Sequence, residues 1–330
     1  MADAFFPLAD DGASALFYNP AAIARPKAPH FEVLNLTLQL NSDYLGMIDG
    51  NFLNVINLPG YTSSLQANPG AFPGAGATYL PSFLIPSYAG GWLPAIAGGI
   101  LSEVSLASNY NNGEYLYRSR YQLTPAIGAG WNLAHGIIRI GYVLQWVNIA
   151  KGTLQPAPTP LSFTRGLQQG SGFSHNLGFT MTFPYQMLPT LSLVARNMFG
   201  TVYGTSVLLP IATGSSGAPA TDPMSLDASF SITPRIGPNS FMNCVFAFRD
   251  FLNSSSLNVF TRLAAGVEFD FKKTFFVRAG FGSGFPSMGL GFRRDKGEIH
   301  LAWVGEEIGS SGFQSRIERR WILQIQARAF

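Results

Sequence analysis

The stretch that decides the fold reads LAAGVEFDFKKTFFVRAGFGSGFPSMGLGFRR, from Leu263 to Arg294. Apolar side chains occupy every second position, and most of the residues between them are small, polar or charged. The short turn at 272–274 interrupts this alternation, which resumes at Phe275 and again at Phe285. Successive side chains of a β-strand point to opposite faces, so a period of two predicts consecutive strands with unlike faces.

The second face of these strands is unusual. It carries Gly266, Gly280 and Gly291 together with charges such as Glu268 and Arg278. Glycine and paired charges suit a crowded polar interior, whereas the apolar face suits lipid. Strands that alternate apolar-out and polar-in are typical of a transmembrane β-barrel.

The composition agrees with this interpretation. Charged residues are 12% of the 330-residue chain, against about 25% in typical soluble domains, and there are 27 Phe and 36 Gly. The net charge of +3 is small and no basic run stands out, so nothing supports nucleic-acid binding. The chain has no run of 18 or more apolar residues, so we expect no transmembrane helix.

Extended along the chain, the alternation predicts an all-β fold, a transmembrane antiparallel β-barrel of about 14 strands. Proline at positions 81, 86 and 94 interrupts the second and third strands, so we expect an edge, a bulge or a break there. The predicted strands are His30–Leu40, Ala77–Tyr88, Trp92–Ser108, Glu114–Trp131, Ile137–Lys151, Asn176–Phe183, Thr190–Phe199, Leu226–Thr233, Ser240–Asp250 and five more from Arg262 to the C-terminus.

The connections support the same fold. With strands numbered in order, the long loops at 41–76, 152–172 and 200–224 fall on one side, and we expect the tight turns on the other. Short periplasmic turns and long extracellular loops are typical of bacterial outer-membrane barrels. In the first loop, near-helical spacing of apolar residues predicts an amphipathic helix over Tyr44–Leu58.

The N-terminal segment has no strand alternation. Asp10 or Asp11 can cap a short helical turn over Gly12–Phe17, and Asn19-Pro20 ends that turn. The run LADDGASALFYNPA at Leu8–Ala21 resembles the N-terminal motif of the outer-membrane long-chain fatty-acid transporter (FadL-like) superfamily. That superfamily includes aromatic-hydrocarbon transporters and barrel proteins of the type IX secretion system.

The resemblance implies a 14-stranded barrel, residues 30–330, whose lumen is plugged by a short N-terminal hatch, residues 1–29. It also implies passive passage of hydrophobic, fatty-acid-like molecules, with first capture by an apolar extracellular loop; alternatively, that loop is a folded cap over the barrel mouth. The hatch and ligand-binding residues expected from the motif are Phe5, Phe6, Asp10, Asp11, Phe17, Asn19 and Pro20. Only about seven residues precede the motif, fewer than in the family, which favours the alternative of a structural barrel that binds a protein partner in a secretion assembly.

A set of charged residues falls on the inward parity. We expect these side chains to pair across neighbouring strands, because buried charges need partners; alternatively, they attract anions or hold the hatch. An anion channel through this lumen is therefore a third possible function. The predicted lumenal charges are Arg118, Arg120, Arg139, Arg196, Arg249, Arg262, Glu268, Asp270, Arg278 and Arg293.

Enzyme chemistry has no support in the sequence. The four histidines do not lie at metal-ligand spacing, and no nucleophile elbow or phosphate-binding glycine loop occurs in the required context. We therefore expect no enzyme activity, no metal and no cofactor; the expected partners are outer-membrane lipid, a hydrophobic ligand and, in the alternative, a protein.

The start at Met1 shows no signal peptide, so we expect that one has been removed from a protein of the bacterial outer membrane.

Overall fold

A computed structural model describes residues 6–9, 11–48, 58–87, 93–157, 162–254, 258–307 and 317–329. Short helices at the N-terminus and in the loops accompany a single large antiparallel sheet. Its strands, numbered here along the chain, are β1 His30–Asn41, β2 in two parts Gly74–Tyr79 and Ser82–Ile85, β3 Ala95–Asn111, β4 Glu114–Leu133, β5 Ile138–Ala157, β6 Gln168–Thr182, β7 Thr190–Arg196, β8 Ser225–Ile232, β9 Ser240–Phe248, β10 Leu263–Phe271, β11 Phe275–Gly282, β12 Phe285–Arg294, β13 Gly297–Glu307 and β14 Ile317–Arg328.

The sheet closes on itself. Each strand pairs antiparallel with the next, and β14 returns to β1 with Leu323 opposite Leu38. A three-residue strand, Arg235–Gly237, adds a short pairing to β9 below the end of β8. The predicted 14-stranded transmembrane barrel is therefore confirmed, and closure leaves no sheet edge for lipid to solvate.

The strand interruption predicted for the proline-rich region occurs at Pro81. Strand β2 is interrupted at Leu80 and Pro81, because proline has no backbone N–H to give to the ladder. The interruption is bridged rather than open: the Leu80 N–H donates to the Asn35 carbonyl at 2.9 Å, and the Ile100 N–H donates to the Pro81 carbonyl at 3.1 Å.

Several boundaries differ from the predictions. The helix expected over Tyr44–Leu58 is interrupted: one helix, Ser42–Gly46, ends before Met47, and another, Leu58–Ala67, begins at Leu58. Residues 49–57 of the expected helix lie outside the described part of the chain. Strand β7 ends at Arg196 and not at Phe199, because Asn197 has a φ of 49°, in the left-handed region that stops a strand.

The side of the barrel with the long loops also carries tight turns, contrary to expectation. Asn112 and Gly113 join β3 to β4, and Ser283 and Gly284 join β11 to β12. All four residues have positive φ, so these hairpins use the turn geometry that matches strand twist. The asymmetry therefore holds for the long connections and not for every tight turn.

The outward face is an apolar band. Its large hydrophobic side chains are well exposed, which lipid solvates and water does not. No helix among the described residues is both long enough and apolar enough to cross a membrane. Representative outward residues are Leu38, Ile100, Ile127, Leu193, Phe230, Phe246, Phe281, Leu290 and Leu301.

Replacing Ile127 with Arg tests the lipid-facing assignment. Ile127 is 58% exposed and lies between the outward aromatic residues Tyr121 and Trp131 of β4. A charged side chain at the bilayer midplane should lower the free energy of unfolding in vesicles by about 2–4 kcal/mol. Urea titration of the refolded protein in vesicles measures this, and Tyr185→Arg in an exposed turn is the control. Equal small losses for both variants would contradict the assignment.

Candidate functional site: the plugged lumen

Residues 11–25 of the N-terminal segment form two short helical turns inside the barrel. Helix α1, Gly12–Phe17, is capped by Asp11, whose carboxylate accepts from the Ser14 N–H at 2.6 Å while the Ser14 hydroxyl accepts from the Asp11 N–H. A 3₁₀ turn, Pro20–Ala24, is capped by Asn19. This confirms the predicted turn and assigns its cap to Asp11, a capping box that fixes the helix start. Residues 11–25 are called the plug below.

One wall of the lumen is shaped to receive the plug. Most of the inward positions of β3 to β6 that lie against it are glycine, alanine or valine, so the two backbones approach closely. A Cβ atom on Gly178 would lie 2.5 Å from the Ala21 nitrogen, and one on Gly130 would lie 2.9 Å from the Ala24 nitrogen. A Cβ atom on Gly141 would overlap the Pro20 carbonyl. Any larger side chain at these positions would displace the plug.

Apolar packing fills the same contact. Leu16 and Ile23 of the plug are almost completely buried, at 1% and 0% exposure, against Ala97 and Val143 of the wall. Burial of each large aliphatic side chain contributes about 1.5–3 kcal/mol. The plug is therefore a packed part of the fold and not a loose tail.

Three wall side chains hold the plug by hydrogen bonds. Gln145 donates to the Leu16 carbonyl at 2.9 Å, and the Asn19 amide donates to the Thr180 hydroxyl at 3.2 Å. Arg196 donates to the carbonyls of Phe17 and Tyr18 at 3.0 and 3.2 Å. These bonds satisfy carbonyls at the end of α1 that have no partner within the helix. The expected grip of lumenal arginine on the plug thus runs through backbone carbonyls.

A polar cavity of about 1180 Å³ remains beside the plug. Its floor includes Phe17, Tyr18 and Arg25 of the plug, and its far wall is the inward face of β9 to β14. The lining mixes arginines and carboxylates with a few large apolar side chains, among them Leu101 and Phe276. The lumen is therefore divided into a packed half and an open half.

The charges on the open half pair across strands, as the sequence predicted. Glu268 faces Arg278 in the ladder, with a 2.6 Å contact between carboxylate and guanidinium. Arg293 faces Glu298 at 2.7 Å, and Arg328 reaches the same carboxylate at 2.8 Å. Nearly buried carboxylates need such partners, and the pairs fix the arginine side chains along the cavity wall.

Another charged pair involves the arginine that holds the plug. Arg196 contacts Asp227 at 2.7 Å while it holds the plug, and Asp227 also accepts from the Asp250 N–H at 2.9 Å. His300 lies between the two cross-strand pairs, 3.2 Å from Glu298 and 3.0 Å from Arg278. Charge contacts therefore join the plug to the wall at Arg196, and a separate group of charges around His300 spans β10 to β14.

The structure brings most of the predicted lumenal charges to one cavity. Those on its lining are Arg120, Arg139, Arg196, Glu268, Asp270, Arg278 and Arg293. Arg118 is exposed above them on β4. Arg249 follows the end of β9, and Arg262 ends a short helix, Val259–Arg262, so both lie beyond the strands in which they were predicted. The part that these residues play in ligand binding stays a prediction.

The predicted plug residues lie in two different environments. Asp11 and Phe17 border the cavity, whereas Asn19 and Pro20 are buried against the wall. Phe5 and Asp10 lie outside the described residues, as does the side chain of Phe6. Sequence reasoning missed Gln145 and Thr180, whose only signal is a polar residue on the inward parity near the plug.

The first and second long loops pack together at the tall side of the barrel. The two helices of the first loop pack Tyr44, Tyr61 and Leu65 against Tyr115 and Tyr117 near the start of β4. The buried Tyr61 hydroxyl bonds the Ser108 hydroxyl at 2.6 Å, and burial raises the pKa of Tyr61 to about 12. The first loop is therefore folded over the tall side of the barrel.

No metal site accompanies these features in the described residues, where no group of three or more His, Cys, Asp or Glu side chains could hold a metal ion. The fold and its interior define a class: a transmembrane β-barrel whose lumen is partly filled by its own N-terminal segment. The comparisons with known proteins place the chain next to barrels of the same shape.

A solved Pseudomonas aeruginosa FadL homologue aligns with a TM-score of 0.54 over 99% of this chain and 95% of its own, at 11% identity. A deletion mutant of the TodX monoaromatic hydrocarbon channel aligns at 0.52 over 95% and 93%, also at 11% identity. At such identity the likeness shows a shared fold. No family model and no curated protein matches the sequence.

Replacing Gly141 with Ala should displace the plug, because the new Cβ would overlap the Pro20 carbonyl. We expect a severalfold higher ion conductance in planar bilayers. Gly289→Ala is the matched control, since that inward Cβ would meet its nearest atom, the Leu301 carbonyl oxygen, at 3.2 Å. Unchanged conductance in the Gly141 variant, with the barrel still folded, would contradict the close-contact argument.

Replacing Arg196 with Lys keeps the charge and removes the planar fork that reaches Asp227 and two plug carbonyls. Hydrogen bonds to charged groups contribute about 1.5–3 kcal/mol each, so amide exchange of the plug should accelerate by about tenfold or more. Hydrogen exchange with mass spectrometry measures this. Arg294→Lys, at the exposed end of β12, should leave the plug amides unchanged; equal rates in the two variants would refute the role of Arg196.

Proposed function

We propose that this barrel passes small hydrophobic, fatty-acid-like molecules passively across the bacterial outer membrane, and that movement of the plug opens the path. The observation that carries the proposal is a lumen in which a packed plug, held by Arg196, borders a cavity of about 1180 Å³. An open diffusion pore for polar solutes needs no such plug. Ligand pockets are commonly about 300–1,000 Å³, so the cavity can hold one elongated molecule.

The lining of the cavity favours an amphipathic ligand. Leu80, Leu101, Phe17, Phe241 and Phe276 supply apolar surface along it. Seven Arg and Lys side chains line the same space against five Asp and Glu side chains, so the cavity carries an excess of positive charge. A long apolar chain with one carboxylate matches both features, because guanidinium groups bind carboxylates well.

The comparisons support transport over the alternatives. The similar structures include a channel for monoaromatic hydrocarbons, and hydrophobic transport is the function that this likeness suggests. The anion-channel alternative accounts for less of the lining, because a small polar anion makes no use of the apolar side chains along the cavity. For the secretion-partner alternative, the described residues offer no contact that selects a protein.

Uptake by cells tests the proposal. A bacterial host without its own fatty-acid transporter should take up radiolabelled oleate when it expresses this chain and should not when it carries the empty vector. Thr37→Trp places an indole in the cavity, because Thr37 is on its lining, and should reduce uptake by about fivefold or more.

Leu38→Trp is the matched control, because Leu38 is the next residue of β1 and faces outward at 40% exposure. It should leave uptake unchanged. Equal amounts of each folded variant in the outer membrane are confirmed by heat-modifiable migration in gels. Uptake that is independent of the chain, or equal in the two variants, would refute passage through this lumen.

A further inference from the structure

The loop between β7 and β8 passes from the inside of the barrel to the outside. At residues 201–204 it lies inside: Tyr203 is buried against Val147 and Ile149, which share the inward face with Val143. Gly204 then pairs with Ser171 at the edge of β6, where β7 is too short to continue the wall. Burial and the neighbouring Asp222 raise the pKa of Tyr203 well above its usual range.

The following residues, 205–212, cross the outer face of the wall and are called the strap below. Their backbone is bonded to two side chains of the wall. The Leu208 N–H donates to the Asn148 side-chain oxygen at 3.1 Å, and the Gln169 oxygen accepts from the N–H groups of Ile211 and Ala212 at 3.3 and 2.8 Å. The Gln169 amide also donates to the Leu209 carbonyl.

Strand alternation places these two side chains on the outside. On β5 the odd residues face the plug, as Gly141 and Val143 do, so Asn148 faces outward. On β6 the even residues face inward, as Gly178 does, so Gln169 also faces outward. Two polar side chains in a lipid-facing band are costly unless they are bonded, and the strap provides their partners.

A groove of about 170 Å³ lies between the strap and the wall. Its floor is built from cross-strand neighbours on the outward face, where Val104 lies opposite Tyr121 and Tyr121 lies opposite Ala150. The strap covers it with Val207, Leu209 and Ile211. An apolar cavity of about 150 Å³ suffices to bind a molecule the size of benzene, so this groove has room for a segment of hydrocarbon chain.

The groove lies at the upper rim of the lipid-facing band. Tyr121 in its floor and the outward Trp131 lower on β4 are ten residues apart. With a rise of about 3.3 Å per residue and the tilt of barrel strands, this separation is about 25 Å along the membrane normal, which is the height of the apolar band between aromatic girdles. Below the groove the same face continues through exposed Ile100 and Ile127.

We propose that the strap groove binds one acyl chain of a membrane lipid from the extracellular leaflet. Three observations carry this assignment: the groove is on the lipid-facing side, it is continuous with the apolar band, and the polar groups at its edge are already bonded to one another. Leu208 and Leu209 of the strap remain 45% and 50% exposed, so apolar surface also surrounds the groove. This site is separate from the lumen and does not depend on the proposed transport function.

Photolabelling from within the bilayer tests the proposal. The protein is reconstituted into phosphatidylcholine vesicles that contain a phospholipid with a diazirine in the middle of one acyl chain, irradiated, digested and analysed by mass spectrometry. The strap peptide should be labelled as strongly as peptides of the lipid-facing wall. Val104→Trp fills the groove and should lower strap labelling by at least about fivefold.

Ile100→Trp is the matched control, because Ile100 has the same exposed, outward environment on β3 and does not line the groove. It should leave strap labelling unchanged, and both variants should keep normal labelling at Phe230 on the opposite wall.

Leu209→Asp, on the exposed strap, should lower strap labelling without changing the barrel. Strap labelling that survives Val104→Trp overturns the proposal. So does labelling by a water-dissolved aryl diazirine with none from the tethered lipid, because the groove would then take diffusing apolar molecules.

Discussion

Lipid supplies no hydrogen bonds, and this single constraint determines most of the structure. Every backbone N–H and C=O in the bilayer must be bonded within the chain, so the sheet has to close and its outer face has to be apolar. The seam where β14 meets β1 satisfies this by an in-register ladder through Leu38 and Leu323. Where proline breaks β2, the free backbone groups are bonded instead to Asn35 and Ile100 of the flanking strands.

The same constraint explains the interior. Because the outward parity is reserved for apolar residues, the inward parity alone can adapt to the contents of the lumen. Where the plug lies against β3 to β6, most of the inward residues are glycine or alanine, which lets the backbone of the plug lie directly against the wall. On β9 to β14 the inward parity carries charges, and directly opposed pairs such as Glu268 and Arg278 satisfy one another. One half of the lumen is therefore filled by the close-packed plug, and the wall of the other half is stabilised by charge pairs.

Much of this was predictable from the sequence, since alternation is a local property. The strand stretches of β8 to β13, the cap of α1 and the inward direction of Arg196 and Arg278 all follow from parity and capping rules. The end of β7 did not follow, because it depends on the left-handed conformation of Asn197, and the helices of the first loop did not, because their apolar spacing competes with packing on the barrel tips. Which inward arginine holds the plug is set by distances across the lumen that no local pattern contains.

The strap is a consequence of unequal wall height. Strands β3 to β6 have 15 to 20 residues, whereas β7, β8 and β9 have 7, 8 and 9. A tilted strand needs about 9–11 residues to cross the bilayer, so the short side leaves the upper edge of β6 without a neighbouring strand. The loop after Arg196 fills this place: Gly204 pairs with Ser171, and the chain then folds back over the outer face to Gln169. Asn148 and Gln169 are outward polar residues that depart from the apolar pattern of their strands. Such residues therefore indicate, in the sequence, the place where a loop crosses the wall.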